Sequence, residues 1–257
     1  MGTETKRRIV AVTGAASGIG RAVALRLAAA GATLALLDQD RDGVRRTASE
    51  ATEAGSPQAL ALAADVANEA SVAAALEQIA VLGELDGLVS AAGILQTGGL
   101  ADTTAETWQR HLDVNATGVF HVLQQAAPRL RDGGSVVVVS SNSARVPRTG
   151  MLAYAASKAA ASALTRCAGL ELAARGIRCN VVEPGSTDTP MLRTLWPDAA
   201  QTMAKSIEGD PASYRVGIPL GRVAQPDDAA ALVCFLLSDD ARHLTLQQIY
   251  VDGGASL

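Results

Sequence analysis

Aromatic residues are scarce in this chain, at 3% of 257 residues. A core without them is packed by Ala, Val and Leu, and a hydrophobic share of 48% is enough to fill a large one. Cysteine is scarce as well. Cys167, Cys179 and Cys234 are odd in number and far apart, with no zinc or redox spacing, which predicts reduced thiols and a cytoplasmic protein. His111, His121 and His243 are equally scattered, so no metal site is expected. The net charge is only −4, and the one basic run is Lys6-Arg7-Arg8, which speaks against a nucleic-acid partner. No apolar run approaches the roughly 18 residues of a membrane span, so no membrane partner is expected either. The apolar stretch after Arg8 is cut at once by Thr13-Gly14 without a cleavage context, unlike a secretory leader.

What the chain does contain is an alternation of short apolar runs and helical patterns. Strands are predicted at 8–12, 33–37, 58–63, 86–89, 134–140, 177–182 and 248–251. Helices are predicted from the glycine turn to Gly31, and over 41–54, 69–82, 104–130, 151–175 and 227–237. This alternation implies right-handed βαβ units. The expected fold is α/β, a doubly wound (Rossmann) parallel seven-stranded sheet with helices on both faces. A single domain over 1–257 follows, with no linker. The segment at about 186–216 reads as polar and irregular, and loops of that length usually cover a site.

The first strand runs into Thr13-Gly14-Ala15-Ala16-Ser17-Gly18-Ile19-Gly20 and then a helix. Strand, glycine turn and helix form the setting in which backbone approaches a pyrophosphate and a helix N-terminus holds it. The spacing Gly14, Gly18, Gly20 differs from the common GxGxxG. Asp38 ends the second strand, where an acid accepts from ribose hydroxyls and repels a 2′-phosphate; no arginine follows before Arg41, which predicts NAD over NADP. Asp65 ends the third strand and can accept from an adenine amine. Taken singly, each acid reads equally well as the cap of its next helix. Small residues at Ser90-Ala91-Ala92-Gly93 allow backbone to lie against a cofactor.

The β-branched run Val136 to Val139 predicts a central strand that delivers Ser141 to its C-terminal end. Tyr154 and Lys158 follow on one helix face, four residues apart. An ammonium beside a phenol favours the phenolate and so a tyrosine base; a serine hydroxyl nearby holds the oxygen that loses its proton. Taken alone, the pair is equally explained as a buried tyrosine and a surface lysine on an Ala-rich helix. Asn115, in the middle of an apolar helical stretch, reads either as an amide that binds backbone or water at a site or as one that simply satisfies a neighbour.

Together these pieces resemble the short-chain dehydrogenase/reductase family over nearly the whole chain. The matching residues are Thr13-Gly14-x-x-x-Gly18-Ile19-Gly20, Asp65-Val66, Ala91-Ala92-Gly93, Asn115, Ser141, Tyr154-x-x-x-Lys158 and Pro184-Gly185. Ser90 departs from the family's usual Asn. The resemblance implies an enzyme in which Tyr154 is the base, Ser141 binds the reacting oxygen, Lys158 lowers the Tyr154 pKa, and Asn115 positions a water that relays protons. It implies NAD held by Gly14, Ser17, Gly18, Ile19, Gly20, Asp38, Asp65, Val66, Ala92, Gly93, Tyr154, Lys158, Pro184, Gly185, Thr187 and Thr189. It also implies a homotetramer.

Other segments resemble one branch of that family, the 2,3-dihydro-2,3-dihydroxybenzoate dehydrogenases of siderophore biosynthesis. They include Pro147-Arg148-Thr149-Gly150-Met151, Ser186-Thr187-Asp188-Thr189, Arg193-Thr194-Leu195-Trp196 and Gly217-Ile218-Pro219-Leu220-Gly221. The branch departs at Thr97, Asn142 and Arg145, which leaves open the amino analogue, trans-2,3-dihydro-3-hydroxyanthranilate. The substrate this implies is a small cyclic carboxylate. A carboxylate needs a cation, for which Arg148 and Arg193 are the first candidates and Arg145 the third; Leu95, Gly150 and Met191 are expected to wall the ring. The rival readings are another alcohol dehydrogenase of the same family, an NAD-binding sensor without turnover, and a purely structural subunit.

Overall fold

The computed structural model describes residues 8–194 and 199–256; Lys6, Arg7, Leu195 and Trp196 lie outside the described residues. Seven strands form one parallel sheet: β1 (Ile9–Thr13), β2 (Thr33–Asp38), β3 (Ala59–Ala63), β4 (Leu85–Ser90), β5 (Leu130–Val139), β6 (Arg178–Pro184) and β7 (Gln248–Val251). Their order across the sheet is β3-β2-β1-β4-β5-β6-β7. The expected single-domain, doubly wound fold is therefore observed. The order reverses between β1 and β4, where Thr13 pairs with Ser90, and the crevice of such a sheet opens at the carboxyl ends of those strands.

The helices before β6 are α1 (Gly18–Ala29), α2 (Arg41–Glu53), α3 (Glu69–Ile79), α4 (Ala105–Leu112), α5 (Gly118–Ala126) and α6 (Leu152–Leu172). After β6 come the short α7 (Pro190–Arg193), then α8 (Ala199–Glu208) and α9 (Pro226–Leu237). One core lies on each face. Val23, Leu27, Val44, Val233 and Leu236 fill the side of α1, α2 and α9. Val72, Leu76, Val119, Val122 and Ala161 fill the side of α3, α5 and α6. Small residues let helices approach the sheet closely, so few aromatics are needed.

Two expectations are corrected. The helix predicted over 104–130 is interrupted. A π-turn at Asp113–Thr117 separates α4 from α5, a 3-10 turn covers Ala127–Arg129, and Leu130 already begins β5. The cause is local. Asn115 turns inward to bond to the backbone of Ile94, and Gly118 lies so close to Val66 that an added Cβ would stand 2.8 Å from its side chain. The other correction concerns 186–216, whose described residues hold two helices and a 3-10 turn at Pro211–Ser213 rather than being irregular throughout. Thr189 caps α7 by accepting from the Leu192 N–H, Pro190 fills the first position, and α8 follows.

Candidate active site

A cleft of about 600 Å³ opens at the reversal point of the sheet. Its floor begins at the glycine turn. Gly14 has φ +69°, and an added Cβ would stand 2.6 Å from the Ala92 N, so no other residue lets the turn lie against β4. Ser17 caps α1 without a side-chain hydrogen bond, which leaves the first-turn N–H groups without a side-chain acceptor. An anion in the cleft can take them. Asp38 is tied to the same turn: Oδ2 accepts from the Ala16 N–H at 3.0 Å and Oδ1 from the Asp40 N–H at 2.9 Å. The cap of α2 is Asp40, which accepts from Gly43, so Asp38 is not consumed as a cap. Likewise α3 is capped by Asn68, while Asp65 closes its own turn through the Ala67 N–H. Each oxygen of Asp38 retains a lone pair, so this set fits a dinucleotide.

The other end of the cleft is built by β5 and α6. Ser141 follows β5, and its Oγ accepts from the Ser143 N–H at 3.1 Å. Tyr154 and Lys158 sit on the buried face of α6, as their spacing predicts. Ser141 and the Tyr154 phenol line the same end of the cleft, close enough for the serine hydroxyl to favour the phenolate. The expectation that Lys158 depresses the phenol is not met in the protein alone. Lys158 Nζ lies 5.9 Å from the ring centroid and donates to the Val139 carbonyl at 3.0 Å. Burial pushes Tyr154 above its usual 10.0; the Ser141 hydroxyl and then the charge of Arg148 oppose that rise. Burial also lowers the Lys158 ammonium from 10.5 to about 8.

Asn115 is fully buried beside the cleft rather than in its wall. Its Oδ1 accepts from the Ile94 N–H at 2.8 Å, and its Nδ2 donates to the Ile94 carbonyl and to Ser157 Oγ, both at 3.0 Å. Ser157 Oγ in turn donates to the Tyr154 carbonyl at 2.8 Å. The amide therefore clamps the loop after β4 to the helix that carries Tyr154. His111 does related work. It accepts from the Gln96 N–H through Nε2, contacts the Thr107 carbonyl through Nδ1, and meets the Tyr154 ring edge-on at 6.4 Å.

All the sequence-predicted dinucleotide residues line this one cleft, as do Leu95, Arg148, Gly150 and Met191. Arg193 does not; it forms a bidentate pair with Asp188 at 2.7 and 3.0 Å. Arg145 points elsewhere too, 3.8 Å from buried Glu183 and stacked over Tyr250. Asn142, singled out as a departure from the branch, also lines the cleft, and residues that sequence reasoning missed are Ser143, Lys205, Asp210, Ser213 and Arg215. Lys205, Asp210, Ser213 and Arg215 fall within the 186–216 segment expected to cover a site, although no local motif singles them out.

The sequence model of the family described as "Enoyl-(Acyl carrier protein) reductase" matches residues 14–256. The chain is 43% identical to the 2,3-dihydro-2,3-dihydroxybenzoate dehydrogenase of Bacillus subtilis (strain 168), covering 97% of this chain and 96% of that one. It is 45% identical to the protein of the same name from Escherichia coli (strain K12), covering 96% of each. The chain belongs to the short-chain dehydrogenase/reductase family. Among solved structures, the 3-ketoacyl-(acyl-carrier-protein) reductase of Brucella melitensis, complexed with NADH, superposes with a TM-score of 0.85 at 31% identity, over 97% of this chain and 98% of that one. As a short-chain dehydrogenase/reductase the protein is an NAD-dependent oxidoreductase. Among the described residues, no helix is long and apolar enough to cross a membrane.

Proposed function

We propose that the protein oxidises the C3 alcohol of 2,3-dihydro-2,3-dihydroxybenzoate to give 2,3-dihydroxybenzoate. The observation that carries this reading is that Ser141, Tyr154, Lys158 and Arg148 line one cleft. Among the described residues Arg148 donates no hydrogen bond and joins no ion pair, although it is half-buried. A base and an unpaired cation at one end suit a substrate with an alcohol and a carboxylate on one ring. Relatives named for that substrate, 43% and 45% identical, support the choice.

NAD, held between the glycine turn, Asp38 and Pro184-Gly185, supplies the hydride acceptor. Asp38 contacts the ribose hydroxyls and disfavours a 2′-phosphate. Ser17, Gly18, Ile19 and Gly20 receive the pyrophosphate, and Asp65, Val66, Ala92 and Gly93 receive the adenosine half. Thr187 and Thr189 close over the carboxamide end. Ser141 holds the substrate oxygen, Tyr154 takes its proton, and Lys158 supplies positive charge behind the phenol and passes the proton on. Asn115 holds Ile94 and α6 in register, so that Leu95, Gly150 and Met191 form the ring wall. The ketone product tautomerises to a phenol, and the gain of aromaticity drives the oxidation forward.

The amino analogue, trans-2,3-dihydro-3-hydroxyanthranilate, is the second reading. It is favoured by Asn142 in the cleft wall, whose Nδ2 donates to Ser256 Oγ at 3.1 Å and Asp252 at 3.3 Å. The decisive assay supplies NAD with each dihydro acid and follows NADH. We expect the hydroxy acid to give the higher kcat/KM. No NADH from either acid, in protein that binds NAD, removes the substrate assignment.

A cytoplasmic role in siderophore or related secondary-metabolite biosynthesis follows, in keeping with three unpaired thiols. A homotetramer is supported by apolar side chains left exposed on the outer helices: Trp108 on α4, Phe120 on α5, and Leu152 and Leu170 on α6.

A further inference from the structure

We infer that Arg215 is a second arm for the substrate carboxylate, facing Arg148 across the cleft, and that the turn at 209–217 is built to present it. This inference rests on the carboxylate reading above and adds to it a residue that lies outside every sequence motif.

The first observation is a pair of unsatisfied cations. Arg148 and Arg215 both line the cleft and both are half-buried. Among the described residues, neither guanidinium donates a hydrogen bond or joins an ion pair. Elsewhere among the described residues, Arg193, Arg222, Arg26 and Arg175 pair with Asp188, Asp228, Asp227 and Asp132, and the unpaired Arg41, Arg110, Arg166 and Arg242 are exposed. The two are close enough to feel each other. Burial lowers the Arg148 pKa, and repulsion from Arg215 lowers it further. Burial likewise lowers Arg215, with Asp210 opposing. Asp252 near Arg148 and Asp210 near Arg215 oppose these shifts without forming an ion pair, so the two like charges leave a site that an anion relieves. Asp210 is the acid in the same wall, but its own turn engages it: Oδ2 accepts from Ser213 Oγ at 2.7 Å and Oδ1 from the Ala212 N–H at 3.0 Å.

The second observation is the backbone that carries Arg215. Asp210 and Arg215 exchange both backbone hydrogen bonds at 2.9 Å, closing a tight loop. Ile218 N–H donates to the Ile207 carbonyl at 2.9 Å beneath it. Gly209 and Gly217 flank the loop at φ +81° and +91°, and a Cβ on either would stand within 2.5 to 2.6 Å of a facing carbonyl oxygen. Tyr214 is held at φ 55°, a conformation that costs a non-glycine residue energy. The loop is therefore fixed in one geometry that aims Arg215 into the cleft. Planar guanidinium groups from two directions suit a carboxylate, which accepts on both oxygens. An alcohol lacking that group leaves both cations unpaired, so the pair selects acids over neutral diols.

The test measures equilibrium binding of 2,3-dihydroxybenzoate and of catechol to the NAD-loaded protein, for wild type, Arg215→Met and Arg215→Lys. Arg215 makes no side-chain bond, so truncation orphans no partner; the melting temperature and NAD affinity check the fold. We expect the wild type to favour the acid, and Arg215→Met to reduce the acid-to-catechol affinity ratio by roughly 10- to 100-fold, with partial recovery in Arg215→Lys. A wild type with no preference for the acid, or an Arg215→Met protein with the wild-type ratio, overturns the inference. Binding selectivity is read without turnover. A protein that binds the acid through Arg215 yet oxidises neither dihydro acid therefore supports the clamp while removing the proposed reaction.

Discussion

A phenol sealed from water is a poor base, and Tyr154 is such a phenol: burial raises it, and a hydroxyl and a guanidinium only partly offset the rise. Its function depends on neighbours rather than on intrinsic acidity. Replacing it with phenylalanine removes the proton acceptor and leaves the fold nearly untouched. Tyr154→Phe is expected to lower kcat by roughly 10²- to 10⁴-fold with NAD affinity retained, as measured by steady-state kinetics beside a binding titration. Lys158 illustrates the converse cost. Its folded pKa is about 8 against 10.5 in water. Between those values the unfolded chain holds a proton that the folded chain has lost, so stability rises with pH across that window; below pH 8 the penalty is complete, about 3 kcal/mol. Relative to wild type, Lys158→Met is therefore expected to gain most in melting temperature near neutral pH and progressively less toward pH 10. The lost bond to the Val139 carbonyl only adds an offset without pH dependence. A difference that stays flat across pH would contradict the burial argument.

At the scale of elements, the glycine turn, β2 and α1 act as one device. Asp38 holds the turn through the Ala16 N–H while keeping lone pairs toward the cleft. Asp38→Ala is expected to weaken NAD and to narrow the NAD-to-NADP preference by roughly tenfold or more, since a charge-assisted bond and a repulsion are lost together. Initial rates with both cofactors give the answer, and an unchanged preference would free Asp38 from the ribose. This device was legible because its signals are local: strand, glycine, helix, acid. Helix caps were less legible. Asp40 and Asn68 cap α2 and α3, while the neighbouring acids Asp38 and Asp65 carry the site, and only hydrogen-bond partners separate them. The π-turn at Asp113–Thr117 was hidden for a related reason. Apolar periodicity runs through it, and what breaks the helix is a bond from Asn115 to Ile94 on another segment.

At the scale of the whole molecule, the apolar side chains on α4, α5 and α6 bear on assembly. Leu170 is 66% exposed and Phe120 43%, more than a solitary subunit gains from. Sedimentation is expected to show a species four times the 26.2 kDa chain mass. A monomer at micromolar concentration would remove the tetramer and leave the site argument standing. Composition and spacing determined a great deal by themselves. Strand–helix alternation fixed the parallel sheet. The glycine turn and Asp38 marked one end of the cleft, and Ser141, Tyr154 and Lys158 marked the other. Each of these is a short-range pattern, written within a few residues by the period of a helix or the demands of a turn. Tertiary structure alone decided which arginines are free. Arg145 and Arg193 stood beside Arg148 as candidates in the chain, yet each found an acid, at Glu183 and Asp188. Arg215 came to the cleft through a loop whose two glycines face carbonyls. A cation's availability depends on what lies beside it in space, and sequence distance does not encode that.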